Sequence, residues 1–91
     1  MIIYKYVIDN PSHDYKLTVP LGSLILCVQN QNEKVCVWVN VSDPITKNKE
    51  VKTLKFIMTG DVYEYNSAAT LYLDTIQLAK GALVIHVFEE M

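Results

Sequence analysis

The chain has 91 residues, 51% of them apolar and 20% charged, with a net charge of −2. A length this small supports one domain with one core, and the composition excludes the polar, charge-rich class of disordered chains. All eight basic residues are lysine. Without arginine there is no planar bidentate fork for phosphate or guanine, so a nucleic-acid reader is not expected.

The opening Met1-Ile2-Ile3-Tyr4-Lys5 lacks a charged start followed by a long apolar run, so no secretory signal is expected. The longest apolar runs, Leu24–Val28 and Val35–Val39, fall far short of the ~20 residues of a membrane helix, and no membrane partner is expected. Apolar residues recur with period two, interrupted by turn chemistry. Ile2–Ile8 reads as a first strand. Tyr15, Leu17 and Val19 share one face of a second, which Pro20 ends. Ser23–Gln31, Lys34–Ser42, Val51–Thr59, Leu71–Leu78 and Ala82–Glu89 follow. Asn10-Pro11-Ser12, Pro20-Leu21-Gly22, Asp43-Pro44, Gly60-Asp61 and Lys80-Gly81 separate the runs. The expected fold is all-β: a small antiparallel sandwich or partly closed barrel of six to seven strands, with at most one helical turn, at Ser67–Thr70.

Two hairpins can be put in register. With Asn32-Glu33 as a two-residue turn, Leu24 faces Val41, Leu26 faces Val39 and Val28 faces Val37, a wholly aliphatic side for the core. Ile25, Cys27 and Trp38 then share the other side. Glu33 occupies a place where a type I′ turn favours glycine. Cys27 and Cys36 lie on a diagonal at roughly 7 Å, beyond easy disulfide reach, and read as buried free thiols in a reducing cytosol. Around Lys80-Gly81, Leu78 faces Leu83 and Ile76 faces Ile85, with Leu73 opposite Phe88 and Thr75 opposite His86.

Motifs for chemistry are absent: no phosphate loop, zinc set, nucleophile elbow or calcium loop occurs. His86 reads as a histidine bonded to Thr75 or backbone, and His13-Asp14 as turn chemistry. Asp61, Glu64 and Asp74 are given no reason to converge. No catalytic residue, metal or cofactor is expected. Two segments suit binding. The first, Lys47–Lys55, holds half the lysines, and on an extended chain Lys49 and Lys55 share a face while Lys52 points away. Its plainer reading is an edge strand guarded by lysine. The second, Asp61–Asn66, displays Tyr63 and Tyr65, side chains suited to recognition.

Ile3-Tyr4-Lys5-Tyr6, Leu21-Gly22-Ser23, Ile25–Gln31, Val37-Trp38, Phe56, Thr59-Gly60, Tyr72–Gln77 and Leu83–Glu89 recur in that order in small phage and prophage proteins. The chain resembles this uncharacterised family over nearly its whole length. It departs where the family has glycine in the first hairpin turn, here Glu33, and a Gly-Thr-Gly loop, here Met58-Thr59-Gly60. The resemblance carries no activity. It implies a small phage gene product in the cytoplasm of an infected bacterium. The expected function is an interaction protein that inhibits a host protein, a defence component being one such target. The alternatives are an oligomeric sponge for a small anionic nucleotide signal and an accessory structural or replication protein of the phage. The candidate binding residues are Lys49, Lys52, Lys55, Tyr63, Tyr65 and Trp38. Convergence of the lysines with Tyr63 or Tyr65 on a concavity would favour the sponge, and a flat tyrosine patch a protein partner. A homodimer through strand edges, or through the Ile25, Cys27 and Trp38 face, is expected in either case.

Overall fold

The computed structural model describes residues 1–91. Seven strands follow one another: β1 (Ile2–Ile8), β2 (Asp14–Pro20), β3 (Leu24–Gln31), β4 (Lys34–Val41), β5 (Lys49–Met58), β6 (Thr70–Leu78) and β7 (Leu83–Glu90). They form two antiparallel sheets, ordered β1-β4-β3 and β2-β5-β7-β6. The sheets pack face to face, and β3 lies against β6 so that one side of the sandwich is closed. Alternation explains the core. Ile8, Val35, Val37, Val39 and Val41 face Leu17, Val19, Leu54, Phe56, Ile85 and Val87 in one buried cluster, leaving the opposite residues of each strand outside. The helical turn expected at Ser67–Thr70 is an irregular turn running into β6; a single 3₁₀ turn occupies Ala79–Gly81 instead.

The first hairpin starts in the expected register and then leaves it. Gln29–Cys36, Val28–Val37 and Cys27–Trp38 pair as predicted, but a bulge at Leu26 shifts the rest, so Ile25 faces Val39 and Leu24 faces Asn40. The core therefore takes Ile25 and Val28, while Leu24 and Leu26 are exposed. The predicted aliphatic face fails at two of three positions, and Ile25 leaves the outer face with Trp38. The second hairpin behaves alike. Leu78–Leu83, Ile76–Ile85 and Thr75–His86 pair as predicted, a bulge intervenes at Leu73, and Tyr72 rather than Leu73 meets Phe88. The bulges share a cause. β3 and β6 meet where the sandwich closes, and a bulge bends its strand and increases its twist. Beside the bulge in β6, Asp74 accepts from Val28 N–H and Gln29 Nε2, both at 3.4 Å, joining the sheets.

Asn32 and Glu33 adopt positive φ, 54° and 61°, as a two-residue type I′ turn requires. A glutamate is held in this conformation because its carboxylate accepts from Ala79 N–H at 2.8 Å. Ala79 and Lys80 also have positive φ, so one side chain links the two hairpin turns. Cys27 and Cys36 are both free; Cys36 is buried as expected, whereas Cys27, opposite Trp38 on the outer face, is only half-buried.

Candidate functional site

The outward face of the four-stranded sheet carries an aromatic cluster centred on Phe88. On β7, His86 and Phe88 point outward because Ile85 and Val87 point into the core. The segment after Gly60 crosses this face and sets two tyrosines on it. Ring centroids of Tyr63, Tyr65 and Tyr72 lie 5.4, 5.7 and 5.6 Å from that of Phe88, within the range of favourable aromatic pairing. Tyr63 also meets the ring of His13 edge-on at 6.3 Å, which ties the segment to the start of β2. Tyr65 and Tyr72 remain 54% and 51% exposed. Both present ring surface outward while Phe88 holds them from below.

A chain of hydroxyls fixes this platform. Tyr72 Oη meets Thr75 Oγ1 at 2.6 Å, Thr75 Oγ1 meets His86 Nδ1 at 3.1 Å, and Thr59 Oγ1 meets His86 Nε2 at 2.8 Å. Both ring nitrogens of His86 are thereby engaged, one by Thr75 as predicted. His13 contributes its carbonyl to Phe56 N–H. Asp61 accepts from Met58 N–H at 3.2 Å, closing the turn that launches the tyrosine segment. Asp61 and Asp74 serve separate local roles, and no group of three or more His, Cys, Asp or Glu side chains is placed to hold a metal ion.

The lysines do not converge. Lys49 pairs with Pro20 at one end of β5, six residues and about 20 Å from Lys55 along the strand. Lys52 faces the other way, as alternation predicts, and sits between Glu50 at 3.0 Å and Glu89 at 3.7 Å. Lys55 lies beside Phe88 in the β5–β7 pairing, yet its ammonium is held by Asp14 and by Glu90, the latter at 3.5 Å. Of the three, Lys55 alone has a register position beside the aromatic cluster. The three surface concavities are lined by none of Lys49, Lys52, Lys55, Tyr63 and Tyr65.

Trp38 lies on the opposite side of the molecule. It lines a shallow apolar depression of about 290 Å³ with Ile3, Leu26, Cys27 and Gln29, on the outer face of the three-stranded sheet. Burial, aided by the Asp74 carboxylate, pushes the Cys27 thiol above its ordinary value. Burial and neighbouring Tyr4 raise the Tyr6 hydroxyl likewise. The six candidate residues are thus divided between two faces. Sequence reasoning missed Tyr72 and Phe88. The available signal was Phe88 itself, an outward aromatic on a strand whose alternate residues form the core.

No curated protein and no solved structure matches this chain. A family profile described as a domain of unknown function, DUF7352, matches residues 1–91, and the chain belongs to that family.

Proposed function

We propose that the domain is a protein-binding module of phage origin, and that it acts in the infected cell by occupying and inhibiting a bacterial host protein through the Tyr65–Tyr72–Phe88 platform. One observation carries this reading: two half-exposed tyrosines are held in place on a rigid sheet before any partner arrives. Aromatic rings fixed in advance lose little entropy on binding and supply large contact areas, the properties of interface anchors. The sponge reading lacks its main requirement, because Lys52 and Lys55 are compensated by carboxylates and no concavity joins the lysines to the tyrosines.

The test is affinity capture of tagged protein from phage-infected bacterial lysate, with heat-released small molecules read in the same run. Wild type retains one stoichiometric bacterial protein. The Tyr65→Ala/Tyr72→Ala variant loses it, while Leu24→Ser/Leu26→Ser, on the other side of the molecule, keeps it. A released nucleotide without a protein partner, or a partner indifferent to the tyrosine pair, overturns the proposal.

A further inference from the structure

The sandwich has four edge strands, and three of them are protected against strand addition. β3 carries the Leu26 bulge, and β6 side chains reach its backbone through Asp74. β6 carries the Leu73 bulge, and Asn30 donates to its Gln77 carbonyl at 2.7 Å. β2 ends in Pro20, which has no N–H to offer an added strand. Bulges, prolines, charges and covering side chains are the usual means of blocking an edge.

β1 lacks these devices. Its pairing with β4 is regular from Ile2 to Ile8, without bulge or proline. Its one charged residue, Lys5, reaches across its own sheet to Gln31 Oε1 at 2.8 Å, away from the edge. No turn, loop or side-chain hydrogen bond engages the backbone of Ile2–Ile8, so the edge opposite β4 is unsatisfied within the chain. Ile2, Ile3 and Val7 are 44%, 51% and 44% exposed. Tyr4 and Tyr6 alternate with Ile3 and Val7 and pack, half-buried, against the core.

We propose that this edge pairs with β1 of a second copy of the chain, antiparallel about a two-fold axis at Tyr4, joining two three-stranded sheets into one of six strands. The sequence of β1 suits self-pairing and disfavours one register outright. A two-fold axis normal to the sheet sets one residue opposite itself. At Lys5 it would oppose two ammonium groups, which is unfavourable. At Tyr4 it sets tyrosine against tyrosine, Ile2 against the partner's Tyr6, and Ile3 against the partner's Lys5. Aromatic–aromatic and aromatic–β-branched pairs are the favoured cross-strand neighbours. One short edge strand offers less than the roughly 800 Å² that a standard interface buries per partner. Main-chain hydrogen bonds across the new strand pair add to this, and the dimer expected is concentration-dependent, in the micromolar range. The aromatic platform lies on the other sheet and stays free, so this association stands independently of the binding reading.

Sedimentation equilibrium between about 5 and 200 μM tests the proposal across the micromolar range. Wild type rises from 10.4 kDa toward twice that mass. Ile3→Lys, which sets an ammonium opposite the partner's Lys5 at two symmetry-related places, weakens the dimer several-fold. Ile3→Glu creates two opposite-charge pairs and keeps or tightens it, and Ile3→Lys/Lys5→Glu restores it. Both positions are exposed, so the fold tolerates these changes, and circular dichroism checks it. A wild type that stays monomeric overturns the proposal. So does a dimer weakened equally by Ile3→Lys and Ile3→Glu, which would indicate stacking through the Trp38 face, or one that ignores all three variants.

Discussion

Replacing Phe88 by alanine removes the common support of three tyrosines. Fully buried Phe→Ala substitutions cost about 3–5 kcal/mol; Phe88 is partly exposed, which reduces its burial contribution to about half of that. Three ring pairs at 5.4–5.7 Å are lost with it, each worth ~0.5–1.5 kcal/mol and overlapping with burial. The expected loss is about 2–3 kcal/mol, against a total of about 5–14 kcal/mol for a domain of this length. In urea the midpoint moves down by roughly 1–2 M at an ordinary m-value. The variant stays folded without denaturant, so a local effect can be read separately. Chymotrypsin cleavage after Tyr63 and Tyr65 rises well beyond the population of globally unfolded chains, because the segment over the sheet has lost its anchor. Phe88→Leu retains most of the burial and loses the ring geometry, and costs about 1 kcal/mol. A Phe88→Ala loss below about 0.5 kcal/mol, a value typical of unremarkable surface positions, with unchanged cleavage, would refute the anchoring role.

Glu50 accepts from Gly22 N–H at 2.7 Å and pairs with Lys52, and these contacts hold its carboxyl below the ordinary 4.5. Its ionised form is thus favoured by folding, and the contribution is complete above 4.5 and lost as pH falls through the lower folded value. Glu50→Gln therefore lowers Tm at pH 7, and the gap to wild type closes in acid; a constant gap would remove the charge from the account. Lys80 has φ 56° and its side chain makes no hydrogen bond or ion pair, so Lys80→Gly raises stability by up to about 1 kcal/mol in chemical denaturation. Glu33→Gly relieves the same conformation but loses the bond to Ala79, and gains less or destabilises. Ile25→Ala costs about 2–4 kcal/mol and Leu26→Ala under about 0.5; equal losses would contradict the bulge. With a thiol-reactive disulfide at pH 7.5, Cys27 reacts slowly, since its thiolate is disfavoured, and buried Cys36 reacts only on unfolding. Two fast thiols in native buffer would contradict this.

The strand order along the chain was legible because period-two alternation and turn residues are local signals. Register was legible outward from each turn, since the turn fixes the first pairs: Val28–Val37 and Ile76–Ile85 both follow from it. The register departs from that pattern at Leu26 and Leu73. Both are ordinary aliphatic residues in an alternating run, and nothing local marks them as unpaired. Their cause is the meeting of β3 with β6, distant in sequence. The opposite facing of Lys52 was equally legible, whereas its carboxylate partner Glu89 belongs to a strand late in the chain. Tyr63 and Tyr65 were singled out by composition. Tyr72 was missed because its outward position depends on the Leu73 bulge, and Phe88 because the bulge-free register gave it Leu73 as a partner.

The two outer faces of this sandwich answer one physical need in different ways. A small chain leaves a larger share of its surface exposed than a large one, and 20 of the 91 residues are buried here. On the four-stranded sheet the chain covers itself: the segment after Gly60 lays Tyr63 and Tyr65 on Phe88, and Ile57, outside the core cluster, is buried on that side. On the three-stranded sheet no segment returns. Ile3, Val7, Leu24 and Leu26 stay exposed around Trp38, and the β1 edge beside them is open. The first face is therefore ordered by the chain itself, and the second leaves apolar side chains and one strand edge uncovered. Separating the two by the Tyr65/Tyr72 and Ile3 variants assigns each association to its own sheet.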